Sequence, residues 1–388
     1  MRVLRLITRL NIGGPSIQAI TLSERLTPRG FTTRLVHGSL GEGEGDMRYL
    51  LSPDTLVEHL PSLRRELSPA NDYAAFVRVW AILREFRPQI VHTHMAKAGA
   101  IGRAAAALYN RRLQPSERTR VVHTYHGHVL EGYFSPAKTA LFVGIERRLA
   151  RSTDRIIAIS PAIRDELLRE HRIGRPEQYR VVPLGFDLSE LAAIDDRARA
   201  AARQSLGINS QAHVVSTVGR LTAIKQHHLF LEAARLIAND DPAALFLIAG
   251  DGELRAELEA SARDSGLADR VRFLGWRRDL TTIYGASDVF LLTSRNEGTP
   301  VALIESLAAA VPGVSTDVGG VRDVLHGDSG IVVPFGDAAG LAGAVTQFLA
   351  DANRRRAIGE RGRASVVARY GIDRLVDDID ALYRDLLR

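Results

Sequence analysis

FLLTSRNEGTPVALIESLAAA, Phe290–Ala310, is the stretch from which the fold follows. Its apolar lead-in, Val289–Leu292, predicts a buried strand, and a short polar turn then opens into a helix at Thr299-Pro300. Threonine is a good N-cap, and proline is pre-set for the first helical position. Glu297 stands in the turn, just outside the helix. Glu305 stands on the helix, about a turn and a half in, on the face that carries Val301 and Ala308. A strand's carboxyl edge followed by a helix start offers free N–H groups and a positive helix end, here with a carboxylate on each side. Such an edge suits a phosphate, and carboxylates suit sugar hydroxyls. A nucleotide sugar carries both.

Strand–turn–helix units containing a glutamate occur in any parallel α/β sheet, so the chemistry alone leaves the reading open. Glu297, seven intervening residues and Glu305, with Gly298-x-Pro300 after the first glutamate, resemble the donor-site signature of the retaining glycosyltransferases of family 4. That resemblance implies the GT-B fold, an α/β architecture of two Rossmann-like domains with parallel sheets facing a central cleft.

A chain of 388 residues is long enough for two domains, each with a sizeable core. The hydrophobic content of 45% and charged content of 25% are ordinary for a globular protein. No apolar run approaches the roughly 18 residues that span a bilayer, so a soluble or peripheral, cytoplasmic protein is expected. The absence of cysteine excludes disulfides, thiolate catalysis and thiolate-bound metal. Charge is uneven: up to Gly185 there are 28 Lys and Arg against 17 Asp and Glu, while the remainder is net acidic. A basic first half can meet an anionic membrane surface or a phosphorylated acceptor, or can be simply an Arg-rich set of solvated helix faces. A nucleic-acid partner is not expected, because no helix-turn-helix, zinc or aromatic-interleaved basic signature is present.

Taken in order, Val3–Ile7 predicts a strand, followed by a loop holding Gly13-Gly14 and an amphipathic helix from Ser16. Phe31–His37, Ile90–His92 and Val121–Thr124 predict further strands, with helices over Asp72–Phe86 and Lys97–Tyr109. Gly38–Ser68, rich in Gly, Glu, Ser and Pro, reads as a long variable connection. Strands and helices alternate at βαβ spacing, which argues for parallel sheets. VVPLGFD, Val181–Asp187, marks the domain junction, and a second set of strands follows: His213–Val218, Ala244–Ile248, Val271–Phe273, Val289–Leu292, Val314–Thr316 and Ile331–Val333. The expected division is a first domain over 1–185, a second over 186–370 and a terminal amphipathic helix over 371–388 that, in the family, crosses back onto the first.

Arg220 and Lys225, in GRLTAIKQHH, bracket a loop between a strand and a helix, where two cations can neutralise a leaving diphosphate. They match the family's Gly-Arg-Leu…Lys motif. Gly250 and Gly252, in AGDGELR, and Gly319-Gly320 also match; the first pair is expected to line the nucleotide, although a tight turn accounts for it nearly as well. The family places a Gly-Gly such as Gly13-Gly14 under the donor diphosphate, and a His before Gly such as His126 beside the donor sugar. His123 falls on a strand and reads as structural, and His128 as a residue of the acceptor side. Three histidines at 123, 126 and 128 could hold a metal, but an extended segment does not let all three converge. His92 and His94 share one side of a strand end, and Lys97 is a candidate for an acceptor phosphate. The Asp-x-Asp of metal-dependent transferases occurs only as Asp378 and Asp380, in the terminal helix, so no metal and no cofactor beyond the co-substrate is expected. Ala310 and Gly313, in AAAVPGVSTD, stand where the family commonly has Gly and a branched residue, which predicts weaker helix termination and strand packing there.

The resemblance implies a retaining, metal-independent transferase that moves a sugar from a nucleoside-diphosphate sugar, UDP before GDP, to a glycan or lipid-linked acceptor. Glu305 would take the ribose hydroxyls, Glu297 and His126 the sugar hydroxyls, and Arg220 and Lys225 the diphosphate, assisted by the backbone of Gly298, Thr299, Pro300 and Val301. Domain closure would precede chemistry. Two other readings remain: a GT-B sugar-nucleotide epimerase, and a non-catalytic nucleotide-sugar-binding subunit of a polysaccharide assembly complex.

Overall fold

The computed structural model describes residues 1–127, 136–326 and 329–388. The chain forms two compact units, Met1–Phe186 with Ile372–Arg388, and Asp187–Gly371. Each is built on one all-parallel sheet, and most of the crossovers are helical.

In the first unit, β1 (Arg2–Ile7), β2 (Thr32–His37), β3 (Leu56–His59), β4 (Ile90–His94), β5 (Arg120–Tyr125), β6 (Arg155–Ala158) and β7 (Tyr179–Val181) lie in the order β3-β2-β1-β4-β5-β6-β7. Successive side chains of a strand point to opposite faces, and the core follows that rule. Val3, Ile90 and Val122 pack on one face with Ile372, Leu375, Ile379 and Tyr383 of the Ile372–Leu387 helix. Their neighbours Leu4, Val91 and Val121 pack on the other face with Val79 and Ile82 of the Pro69–Phe86 helix and Ala98 and Ala105 of the Ala96–Asn110 helix. Both faces are therefore covered, as the near-continuous apolar character of the strands requires.

The second unit repeats the plan with β8 (His213–Val218), β9 (Ala244–Ala249), β10 (Val271–Gly275), β11 (Val289–Leu292), β12 (Gly313–Thr316) and β13 (Gly330–Val333), in the order β10-β9-β8-β11-β12-β13. In both sheets strand order reverses beside the first strand, between β1 and β4 and between β8 and β11. Ligands of open α/β sheets bind at the carboxyl ends of the strands at such a reversal.

Three expectations are corrected. Residues 38–68 are not a bare connection: they contain β3, an exposed edge strand paired with β2, and a short 3-10 turn at Arg48–Leu50. They also brace the loop after β1, with Met47 N–H donating to Leu10 O, Ile12 N–H to Gly45 O, and Arg9 paired with Glu44 at 2.8 Å. The helix after β11 begins at Val301, not at Pro300. Pro300 is itself the cap, at φ −76° and ψ 83°, and its carbonyl accepts from the Leu303 and Ile304 amides. Finally, strand packing at Gly313 is not weakened, because a β-carbon there would lie 2.3 Å from Leu303 Cδ1. The leucine already fills the space a branched residue would claim.

Candidate active site

At the β8–β11 reversal, the loop after β8 and the turn after β11 are tied together by their backbones. Arg295 N–H donates to Ile224 O at 2.8 Å, and Thr293 Oγ1 donates to the carbonyls of Lys225 and Gln226. Lys225 Nζ consequently meets Glu297 Oε1 at 2.6 Å, and Ser294 Oγ donates to the same oxygen at 2.6 Å. Thr316 of β12 in turn holds the Ser294 carbonyl. Glu297 is buried, and Arg220 is exposed with no side-chain partner among the described residues. The amides of Gly298, Thr299, Val301 and Ala302 donate to no carbonyl among the described residues, and the Val301–Ala308 helix has no side-chain cap. Free donors and a positive helix end therefore surround one neutralised Lys–Glu pair and one unpaired arginine.

Glu305, on that helix, accepts from the Tyr284 hydroxyl at 2.9 Å. Burial pushes its carboxyl up to about 7, against the lowering effect of that hydrogen bond. The same burial and the neighbouring carboxylate raise the Tyr284 phenol well above its usual value. A carboxyl group kept this dry, with one oxygen spoken for, suits a neutral hydroxyl better than a cation.

The glycines of this region are explained from within the chain. A β-carbon on Gly250, at φ 141°, would lie 1.8 Å from Gly219 O, and one on Gly252 2.5 Å from Leu221 O. Their demand for glycine comes from the loop carrying Arg220, which they bring close. Gly319, at φ 46°, does the same for the Glu297 turn: its missing β-carbon would lie 1.9 Å from Glu297 O, and Gly320 N–H donates to that carbonyl at 2.9 Å.

At the β1–β4 reversal of the first unit, Gly13 leaves β1's loop at φ 153°, and the Gly14–Arg25 helix starts there with no acidic residue in its first turn. Gly14 packs against Leu184. Met95, directly after β4, adopts φ 66° and ψ 158°, a region that only glycine enters comfortably and that costs on the order of 1–3 kcal/mol. Such strain persists where the surroundings over-determine it, and it gathers at functional sites.

His94 stacks on His92 with ring centroids 4.3 Å apart, and its Nδ1 lies 2.9 Å from His126 Nε2. Burial lowers His126 to about 3 and holds His92 and His94 well below their usual range, so all three rings are neutral at pH 7. His123 turns away from this row to Thr93 at 2.8 Å and to the Tyr125 ring. His128 lies outside the described residues. Among the described residues no group of three His, Asp, Glu or Cys could hold a metal ion. Lys97 is not a free cation for an acceptor: it pairs with Asp72 at 2.7 Å and with the Glu66 carbonyl.

Sequence reasoning missed Ser294, Tyr284 and Arg5. Arg5 is fully buried in β1 and contacts His92, His94 and Tyr383. Its signal was present, a charged residue in the apolar run VLRLI of a strand covered on both faces.

A family model described as Glycosyltransferase Family 4 matches residues 12–190, and one described as Glycosyl transferases group 1 matches residues 198–365. A D-inositol 3-phosphate glycosyltransferase of Geodermatophilus obscurus is 30% identical over 404 residues, spanning 96% of this chain and 84% of that protein. The UDP-Gal:alpha-D-GlcNAc-diphosphoundecaprenol alpha-1,3-galactosyltransferase of Escherichia coli is 29% identical over 332 residues, spanning 84% and 83%. HepE of Anabaena, crystallised with UDP, matches with a TM-score of 0.83 at 22% identity, over 99% of this chain and 100% of that one. The two sheets and their crossovers define the GT-B class. Within it, the chain belongs to the group 1, family 4 glycosyltransferases and is a glycosyltransferase.

Proposed function

We propose that this glycosyltransferase moves a hexose from UDP to a hydroxyl of a glycan or lipid-linked acceptor, with retention and without a metal ion. The observation that carries the reading is the group formed by Lys225, Glu297 and Ser294 beside the uncapped Val301–Ala308 helix, with Glu305 on that helix. In this reading Glu305 accepts the ribose hydroxyls and Glu297 a sugar hydroxyl. Arg220, Lys225 and the amides of Gly298, Thr299 and Val301 take the diphosphate. Lys225 is released to the phosphates as a sugar hydroxyl takes its place on Glu297. Negative charge that grows on the leaving diphosphate then meets donors already in position, so positioning and electrostatics supply most of the rate. His126 is assigned to the sugar and Gly13 and Gly14 to the diphosphate, and the leaving phosphate oxygen takes the acceptor's proton.

UDP is favoured over other nucleotides because the galactosyltransferase relative is named for UDP-Gal and HepE is described with UDP-glucose. The same relative's diphosphoundecaprenol acceptor favours a lipid-linked substrate at a membrane. No helix among the described residues is long and apolar enough to cross one. Leu141 and Ile145, exposed one turn apart on the Pro136–Ala150 helix beside the exposed Arg147 and Arg148, give a peripheral contact both an apolar and a cationic component. A pocket lined by His37, Ser39, Asp46, Arg48 and His59 offers polar groups to an acceptor.

A thermal-shift screen with UDP, GDP, ADP and dTDP, each with and without magnesium, tests the donor assignment. Stabilisation by UDP that is independent of magnesium and lost in Glu305→Ala is the expected result. No shift with any nucleotide would sink the reading.

A further inference from the structure

Arg5 is a buried cation with no acidic partner among the described residues. Among the described residues no carboxylate hydrogen-bonds to Arg5, His92, His94 or His126; Glu146, on the Pro136–Ala150 helix, is taken by Arg103 and Tyr125. The two terminal nitrogens of the guanidinium meet neutral groups instead, and Nε has no partner among the described residues. Nη1 lies 3.0 Å from His92 Nδ1 and 3.1 Å from His94 Nε2, and Nη2 donates to the Tyr383 hydroxyl at 3.2 Å. Tyr383 stands 2.6 Å from His92 Nδ1, and His92 Nε2 stands 2.7 Å from Thr124 Oγ1.

A guanidinium carries only donors, so each ring nitrogen it meets must accept. His94 Nε2 therefore holds a lone pair, and a neutral imidazole has its proton on the other nitrogen. His94 Nδ1–H then donates across 2.9 Å to His126 Nε2, which must accept in its turn. The proton of His126 is thereby confined to Nδ1, a buried atom with no partner among the described residues.

We propose that Arg5 is a positioning residue that, through His94, fixes the tautomer of His126, so that His126 offers an N–H donor and not a lone pair to an oxygen of the bound sugar. The sugar contact rests on the donor assignment above; the tautomer does not. His126 in this form cannot act as a base through Nε2, which is occupied, and it adds no charge beside the departing diphosphate. Its low pKa agrees, since burial already disfavours the imidazolium. The charged and titratable groups facing the row are Arg5 on β1, His92 and His94 on β4, His123 on β5, Tyr383 on the terminal helix, and the Arg103–Glu146 pair behind His123.

The test is long-range proton–nitrogen NMR on the full chain labelled with ¹⁵N-histidine, without ligand, from about pH 5 to 9. His126→Gln and His94→Gln assign the signals. The expected result is a proton on Nδ1 of both His94 and His126, with neither ring titrating across the range. A proton on His126 Nε2, or titration of His126 within it, overturns the proposal on the wild-type protein alone. In Arg5→Met, His126 should become a mixture of tautomers, and Arg5→Lys should restore the single form; an unchanged spectrum in folded Arg5→Met also overturns it. Turnover by Arg5→Met should fall by about tenfold to a hundredfold, with UDP-induced stabilisation unchanged. If UDP stabilises neither protein while the tautomers are as stated, the donor assignment fails and the Arg5 relay stands.

Discussion

Glu305 illustrates how a single side chain is tuned by what surrounds it. Its carboxyl is raised to about 7 in the folded protein, against the ordinary carboxylate value near 4.5. The group thus contributes stability that is fully present below about pH 4.5 and is lost as pH rises through about 7. Glu305→Gln keeps the shape and removes the charge. It is expected to leave stability unchanged at pH 4.5, and at pH 8 to raise it by about 3 kcal/mol, read from urea midpoints. A destabilisation at pH 8 would mean that the carboxylate is better solvated than its surroundings imply. The residue is costly in the empty protein, which fits a group held ready for hydroxyls that arrive with a ligand. The Lys225–Glu297 pair follows the same logic. Lys225→Met leaves Glu297 with Ser294 alone and is expected to lower turnover by about a hundredfold or more, measured under saturating donor, while circular dichroism stays native.

At the scale of elements, the Val301–Ala308 helix depends on residues outside its own sequence. Its beginning is set by Pro300 and by the close approach of Gly319 to the Glu297 carbonyl. Gly319→Ala would place a methyl carbon 1.9 Å from that oxygen and demand φ 46° of an alanine. The turn must move, so a loss of about 3 kcal/mol or more is expected, together with loss of nucleotide-induced stabilisation. The helix ends less well than it could. Ala310, just past the last turn, is held at φ 54°, where a β-carbon is unfavourable. Ala310→Gly should stabilise the chain by about 1 kcal/mol in urea unfolding without affecting activity. That weakness was legible in the sequence, from an alanine where a helix stop calls for glycine. The matching expectation for Gly313 was not sound, because the size of its neighbour Leu303 could not be placed from sequence.

At the scale of the whole molecule, the last helix belongs to the first unit although a second unit intervenes in the chain. Ile372, Leu375, Val376, Ile379, Leu382, Tyr383 and Leu386 are all buried. At about 1.5–3 kcal/mol each, their loss is of the same size as the 5–15 kcal/mol that typically holds a domain together. A chain ending at Gly371 is expected to lose its first unit while the 187–371 unit stays folded, which limited proteolysis with mass spectrometry reads directly. Equal protection of both halves would contradict the core described above. The deletion also removes Tyr383, so the terminal helix supplies both core and one of Arg5's hydrogen bonds.

Much of the architecture was local enough to be read without coordinates. Apolar runs of strand length, glycine and proline at their ends and helical spacing between them are set by backbone sterics and by which side must be dry. They gave the two parallel sheets, and the resemblance of the motifs to those of the family 4 glycosyltransferases gave the candidate residues Glu297, Glu305, Arg220, Lys225 and His126. The edge strand Leu56–His59 escaped because it is exposed and so lacks an apolar signature. What tertiary structure alone decided was the partners. Arg5 meets His94 and Tyr383, Lys225 meets Glu297, and Tyr284 meets Glu305, each across a long stretch of chain. Hydrogen-bond roles, tautomers and shifted pKa values depend on those partners and on burial, and neither is a property of neighbouring residues in sequence.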